Sequence, residues 1–163
     1  MAKESFFIRG VVATNSTTFN QASIDLGAYV DALGSAILRV HNITVQYGSF
    51  GQTITGTANS TAQVQYQLTT QSKAQMVDLT DKSLIASGRL IVSTGAAVAD
   101  YIGDFHDVSP QMWTNGYLVG VEQIFLGVDQ AASDLVDQVS IILECTVEKM
   151  SPSSAMALAL SQQ

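Results

Sequence analysis

Apolar side chains recur at every second position through much of this chain. Ala62, Val64, Tyr66 and Leu68 alternate with Gln63, Gln65, Gln67 and Thr69, and Val139, Ile141, Leu143, Cys145 and Val147 alternate with Ser140, Ile142, Glu144, Thr146 and Glu148. Successive side chains of an extended chain point to opposite faces, so this spacing gives each segment one apolar face. On a helix the same residues would scatter around the axis. The pattern predicts about eight strands, at 5–13, 19–26, 35–47, 62–69, 74–79, 83–93, 117–126 and 139–147.

Two of these segments carry extra information. In 35–47 the phase slips: Leu38 and Val40 share one face, while Ile43, Val45 and Tyr47 share the other. One extra residue near His41-Asn42 restores a common face, which predicts a β-bulge there. In 117–126 both Tyr117/Val119/Val121 and Leu118/Gly120/Ile124 are largely apolar, as in a central strand covered on two sides. Glycines at 48, 51 and 56 mark a long loop over 48–60, Asp81-Lys82 a tight turn, and Asn115-Gly116 a turn ahead of residue 117. Residues 27–34 and 128–135 each read as a helical turn. The stretch from Gly95 to Trp113 is mixed in character and contains Pro110, and it reads as a long loop across the end of a sheet.

Many short strands, few helices and glycine-rich turns predict an all-β fold. Uneven loops fit an eight-stranded antiparallel β-sandwich, a single jelly roll with short helical turns in its loops, better than an up-and-down barrel of uniform hairpins. A length of 163 residues suits one domain. Residues 1–150 are assigned to the sandwich and 151–163 to a C-terminal tail. That tail is uncharged and carries Met156, Leu158 and Leu160. It either folds back on its own sandwich or reaches a neighbouring subunit.

Charge is scarce. Only 13% of residues are Asp, Glu, Lys or Arg, about half of the ~25% usual in soluble domains. Surfaces of neutral hydrogen-bonding groups repel little and are cheap to desolvate, which suits a chain that becomes covered by copies of itself. The net charge is −7, and the seven basic residues are spread from Lys3 to Lys149 without a run. Wrapping a phosphate backbone needs clustered cations, so direct nucleic-acid binding is not expected. The N-terminal stretch is interrupted by Glu4 and Arg9, which does not match a signal peptide. A protein made in the cytoplasm is expected.

No catalytic constellation emerges. Cys145 is the single cysteine and lies in an apolar strand pattern, as a buried thiol would. Asp104, His106 and Asp107, with Asp100 nearby, could hold a divalent cation, but a solvated acidic loop is the preferred reading. Glu144 and Glu148 lie four residues apart, roughly 13 Å along an extended chain, too far for a glycosidase pair. Tyr101, Phe105 and Trp113 could form a sugar-stacking platform, although packing or subunit contact is commoner for such residues. No phosphate-binding glycine motif occurs. No catalytic, cofactor-binding or metal-binding residue is therefore assigned, and no cofactor.

The strands ILRVHNITVQY and AQVQYQLTT, the long last strand QVSIILECTVEKM and the adhesive ends give a chain that resembles the single jelly-roll major capsid proteins of tailless icosahedral viruses of archaea or bacteria. The resemblance covers most of residues 5–150. It implies a non-enzymatic virion protein that self-assembles into an icosahedral shell. It also implies capsomers built from copies of itself, with room for a second capsid protein and for an internal membrane beneath the shell. The candidate subunit contacts are Phe6, Phe7, Trp113, Met156, Leu158 and Leu160. Two other readings remain: a non-viral surface or filament subunit, and a carbohydrate-binding β-sandwich using Trp113 and Tyr101.

Overall fold

A computed structural model describes residues 4–31, 33, 35–54, 56–96, 99–132 and 135–163. The strands are β1 (Phe6–Ala13), β2 (Asn20–Asp25), β3 (Ala36–Tyr47), β4 (Ser60–Thr69), β5 (Leu84–Thr94), β6 (Ala99–Val108), β7 (Tyr117–Val119), β8 (Gln123–Gln130) and β9 (Gln138–Lys149). A single 3₁₀ turn (Pro110–Met112) precedes β7, and a helix, α1 (Pro152–Ser161), follows β9. One sheet has the order β1-β9-β3-β7 and the other β2-β8-β4-β5-β6, and all pairings given in register are antiparallel.

Every alternating segment supplies one face to the space between the sheets. Val64, Tyr66 and Leu68 of β4 meet Ile124, Leu126 and Val128 of β8 and Val139, Ile141, Leu143 and Cys145 of β9 in one continuous core. Each fully buried aliphatic side chain of this kind contributes about 1.5–3 kcal/mol. With β6 set aside, the chain passes between sheets in the order of a jelly roll, β1-β9-β3-β7 facing β2-β8-β4-β5. The bulge expected near His41-Asn42 is present as a register shift between Val40 and Asn42.

Among the described residues nine strands replace the eight expected, through three differences. The 95–113 segment, expected as a loop, contains β6, which pairs along β5 from Ser87 to Thr94. Its residues from Tyr101 to Val108 are half-buried or exposed on both sides, so it lacks the one-sided apolar pattern by which strands are read. The 117–126 segment is two strands in two sheets. Its two apolar faces belong to β7 and β8 separately, and the chain crosses between them at Gly120–Glu122. The 74–79 segment is not a strand. Its backbone partner is a side chain: the Gln67 amide donates to the Gln75 carbonyl oxygen (3.1 Å) and accepts from the Val77 amide (2.8 Å).

The turn expected at 27–34 is seen in Tyr29 and Val30, whose amides donate to the Leu26 carbonyl oxygen; Ala32 and Gly34 lie outside the described residues. The helical turn expected at 128–135 does not form over its first three residues, because β8 continues as strand to Gln130; Ser133 and Asp134 lie outside the described residues. Gly116 has φ +64°, and a Cβ there would run into the Val40 carbonyl, so the Asn115-Gly116 turn requires glycine.

Candidate assembly surfaces

The residues with the most familiar chemistry do not converge on a site. Among the described residues, no group of three or more His, Cys, Asp and Glu side chains gathers as metal ligands would. Asp104, His106 and Asp107 lie on strand β6, not in a loop, and face different partners. His106 Nδ1 shares a 2.9 Å hydrogen bond with the buried Tyr66 hydroxyl, and Asp107 pairs with Arg89 at 3.0 Å. The Asp100 side chain lies outside the described residues. Burial, with the nearby Asp104 and Asp107 charges, holds the Tyr66 phenol protonated well above its ordinary range.

The two carboxylates of β9 are likewise engaged. Asn42 donates to Glu144, and Arg39 donates to Glu148 at 2.8 Å while also bonding the Asn115 carbonyl. His41 hydrogen-bonds Thr146 at 2.9 Å. Cys145 is fully buried, and burial followed by the Glu144 charge pushes its thiol up to about 12. It packs as a small apolar residue.

The six candidate contact residues divide into two groups. Phe6 is partly buried against the core and stacks on Tyr29, with ring centroids 4.7 Å apart. Leu158 leans on Gly120, where a Cβ would sit 3.1 Å from its side chain. Phe7, Trp113, Met156 and Leu160 are about half-exposed or more. The three aromatic residues of the 95–113 segment are also divided. Tyr101 and Phe105 fold over Gly103 on β6, while Trp113 follows the 3₁₀ turn and lines a groove with Leu79 and Met112.

The tail is a helix lying against its own sandwich. Ser151 caps it by accepting from the Ser154 amide, and Pro152 occupies its first turn. Ala155 and Ala159 are buried, and the Gln162 side chain anchors the end. Gln162 Oε1 accepts from the Gly120 amide (2.9 Å), and its Nε2 donates to the Leu118 carbonyl oxygen (2.7 Å). Met156 and Leu160 point away from that seat.

Gln162 belongs to a wider pattern. Gln111 accepts from the Ile43 amide and donates to the Ile43 carbonyl, both at 3.1 Å, closing the edge of β3 beyond the end of β7. With Gln67, three glutamine amides thus take the place of backbone peptide groups. Exposed sheet edges invite pairing with other chains, and covering them is a common defence. The glutamine-rich composition reads as a neutral surface, yet Gln67 is 1% exposed and committed to a loop. Gln63 and Gln65 remain at the surface, in a shallow depression with Thr17 and Asp129.

Some of the exposed apolar side chains gather in two groups toward the lateral sides of the sandwich, with others on loops and on α1. On one side a cleft of about 830 Å³ is lined by Phe7, Val11, Tyr29 and Ile142 around Arg9. On the other, β6 presents Tyr101, Ile102 and Phe105.

No protein-family model matches this sequence, and no curated protein matches it. Among solved structures, the chain is similar to one from the three-dimensional structure of maize chlorotic mottle virus. The identity is 9%, the TM-score is 0.34, and the alignment covers 90% of this chain and 95% of that one.

Proposed function

We propose that this protein is a structural subunit that self-assembles into a closed shell, as the major capsid protein of a virion. The observation that carries this reading is the pairing of a jelly-roll sandwich with large apolar side chains left exposed at its lateral sides. Single exposed hydrophobics are ordinary, but grouped ones mark surfaces that another protein covers. Jelly rolls serve as capsid, lectin and cupin domains, so the fold alone does not choose among them. A low charge content, engaged carboxylates and scattered aromatic residues favour the shell.

In this reading copies of the chain form capsomers whose weak contacts are multiplied by symmetry. A second capsid protein and a membrane beneath the shell are compatible with it. Direct nucleic-acid binding is not part of it, because the cations are few and form no run. Arg39, Lys73 and Arg89 are each paired with an acid. A tailless icosahedral virus of archaea or bacteria is the proposed setting, and the virion the proposed location. Negative-stain electron microscopy of the purified protein tests the reading. Closed particles of uniform diameter are expected; open filaments would favour the surface-subunit alternative.

A further inference from the structure

Resting on that self-assembly reading, we infer that copies dock side by side, the Arg9 cleft of one copy receiving the β6 edge of the next. Sheet order fixes the geometry. β1 and β2 are the outer strands of their sheets on one lateral side, and they touch each other. Gly10 permits this approach, because a Cβ there would meet the end of the Ile24 side chain. On the opposite side, β7 and β6 are the outer strands. The β3/β7 edge is closed by Gln111 and Gln162, while the outer edge of β6 has no strand partner among the described residues.

The two sides are complementary in charge. Arg9 is exposed and has no acidic partner among the described residues, whereas Arg39, Lys73 and Arg89 all have one. It stands opposite Ile142 in the register of β1 and β9, flanked by Phe7 and Val11. Asp25 lines the same cleft, but its Oδ1 accepts from the Gly27 amide. On the far side Asp104 is exposed and unpaired among the described residues, while Asp107 is held by Arg89. Ile102 shares its strand face, and the rings of Tyr101 and Phe105 lie on the other face. An unpaired cation among apolar side chains therefore lies on one side, and an unpaired anion on the outer strand β6 lies on the other.

The charges also choose the mode of contact. A two-fold contact would set Arg9 against Arg9 or Asp104 against Asp104, and like charges across an interface cost binding. A head-to-tail contact sets Arg9 against Asp104 and closes into a ring when the rotation permits.

Charge reversal tests this. Arg9→Asp and Asp104→Arg, each alone, should weaken assembly about tenfold or more, read by sedimentation velocity, with the monomer's circular dichroism unchanged. An equimolar mixture of the two single variants should recover assembly, because each reversed side then meets a reversed partner. The double variant should recover it too. Assembly of the single variants at the wild-type level would overturn the docking mode while leaving the shell reading intact, and so would failure of both the mixture and the double variant to recover. A wild-type protein that stays monomeric would overturn both.

Discussion

Glutamine behaves here as a portable peptide group. The Gln162 amide pairs with Leu118 and Gly120, where a further strand would otherwise pair with β7. Gln162→Ala leaves that carbonyl and that amide without partners, so a loss of about 1–3 kcal/mol per stranded group is expected. Urea unfolding measures it, and an unchanged midpoint would contradict the latch. Asp81 gives a second check at this scale. Lys73, at 2.8 Å, and then Ser83 hold its carboxyl down at about 2. A depressed folded-state value stabilises above the ordinary aspartate range and is lost as pH falls through about 2. Stability should therefore decline between about pH 4 and pH 2, and Asp81→Asn should flatten that decline while costing about 1 kcal/mol or less at neutral pH, since the pair is partly solvated. Cys145, with its thiol pushed up to about 12, should ignore a disulfide-exchange reagent at pH 8 until the chain is unfolded.

At the scale of elements, legibility followed one-sidedness. β4 and β9 each bury one face and expose part of the other, and their alternation located them and the bulge of β3. β6 was hidden because it is a sheet edge with Ile102, Asp104 and His106 on one face and Tyr101, Gly103 and Phe105 on the other, neither fully covered. The 117–126 run was legible as strand but not as two strands, since parity alone does not reveal a change of sheet. At 74–79 a side chain, not a strand, satisfies the backbone. Exposure divides the candidate contacts, Phe6 and Leu158 being partly covered. Phe7, Trp113, Met156 and Leu160 are exposed, whereas Arg9 and Asp104 drew no attention because lone charges carry no spacing signal. β6 also offers a packing test. A Cβ at Gly88 would press on the Phe105 carbonyl and the Tyr66 ring, so Gly88→Ala should cost about 1–3 kcal/mol by overpacking. An unchanged melting temperature would argue against the close pairing of β5 and β6.

For the whole molecule, stability and assembly rest on different residues. Core and glutamine contacts hold the sandwich, while apolar lateral sides and the outer face of α1 remain open. Deleting residues 152–163 would remove Gln162, Ala155 and Ala159 together, so it would disturb the fold as well as any contact between copies. Replacing Met156 and Leu160 with serine separates the two effects, because neither side chain is buried. Thermal stability should be unchanged and assembly weakened if α1 also faces a neighbour, while undiminished assembly would confine the helix to its own subunit. The central claim is that this sandwich exists to be covered by copies of itself. Imaging the purified protein by electron microscopy, alongside its mass in solution, tests that most directly. Closed particles of one diameter, with a mass many times that of the chain, are the predicted result; a monomer that persists at milligram-per-millilitre concentration would contradict it.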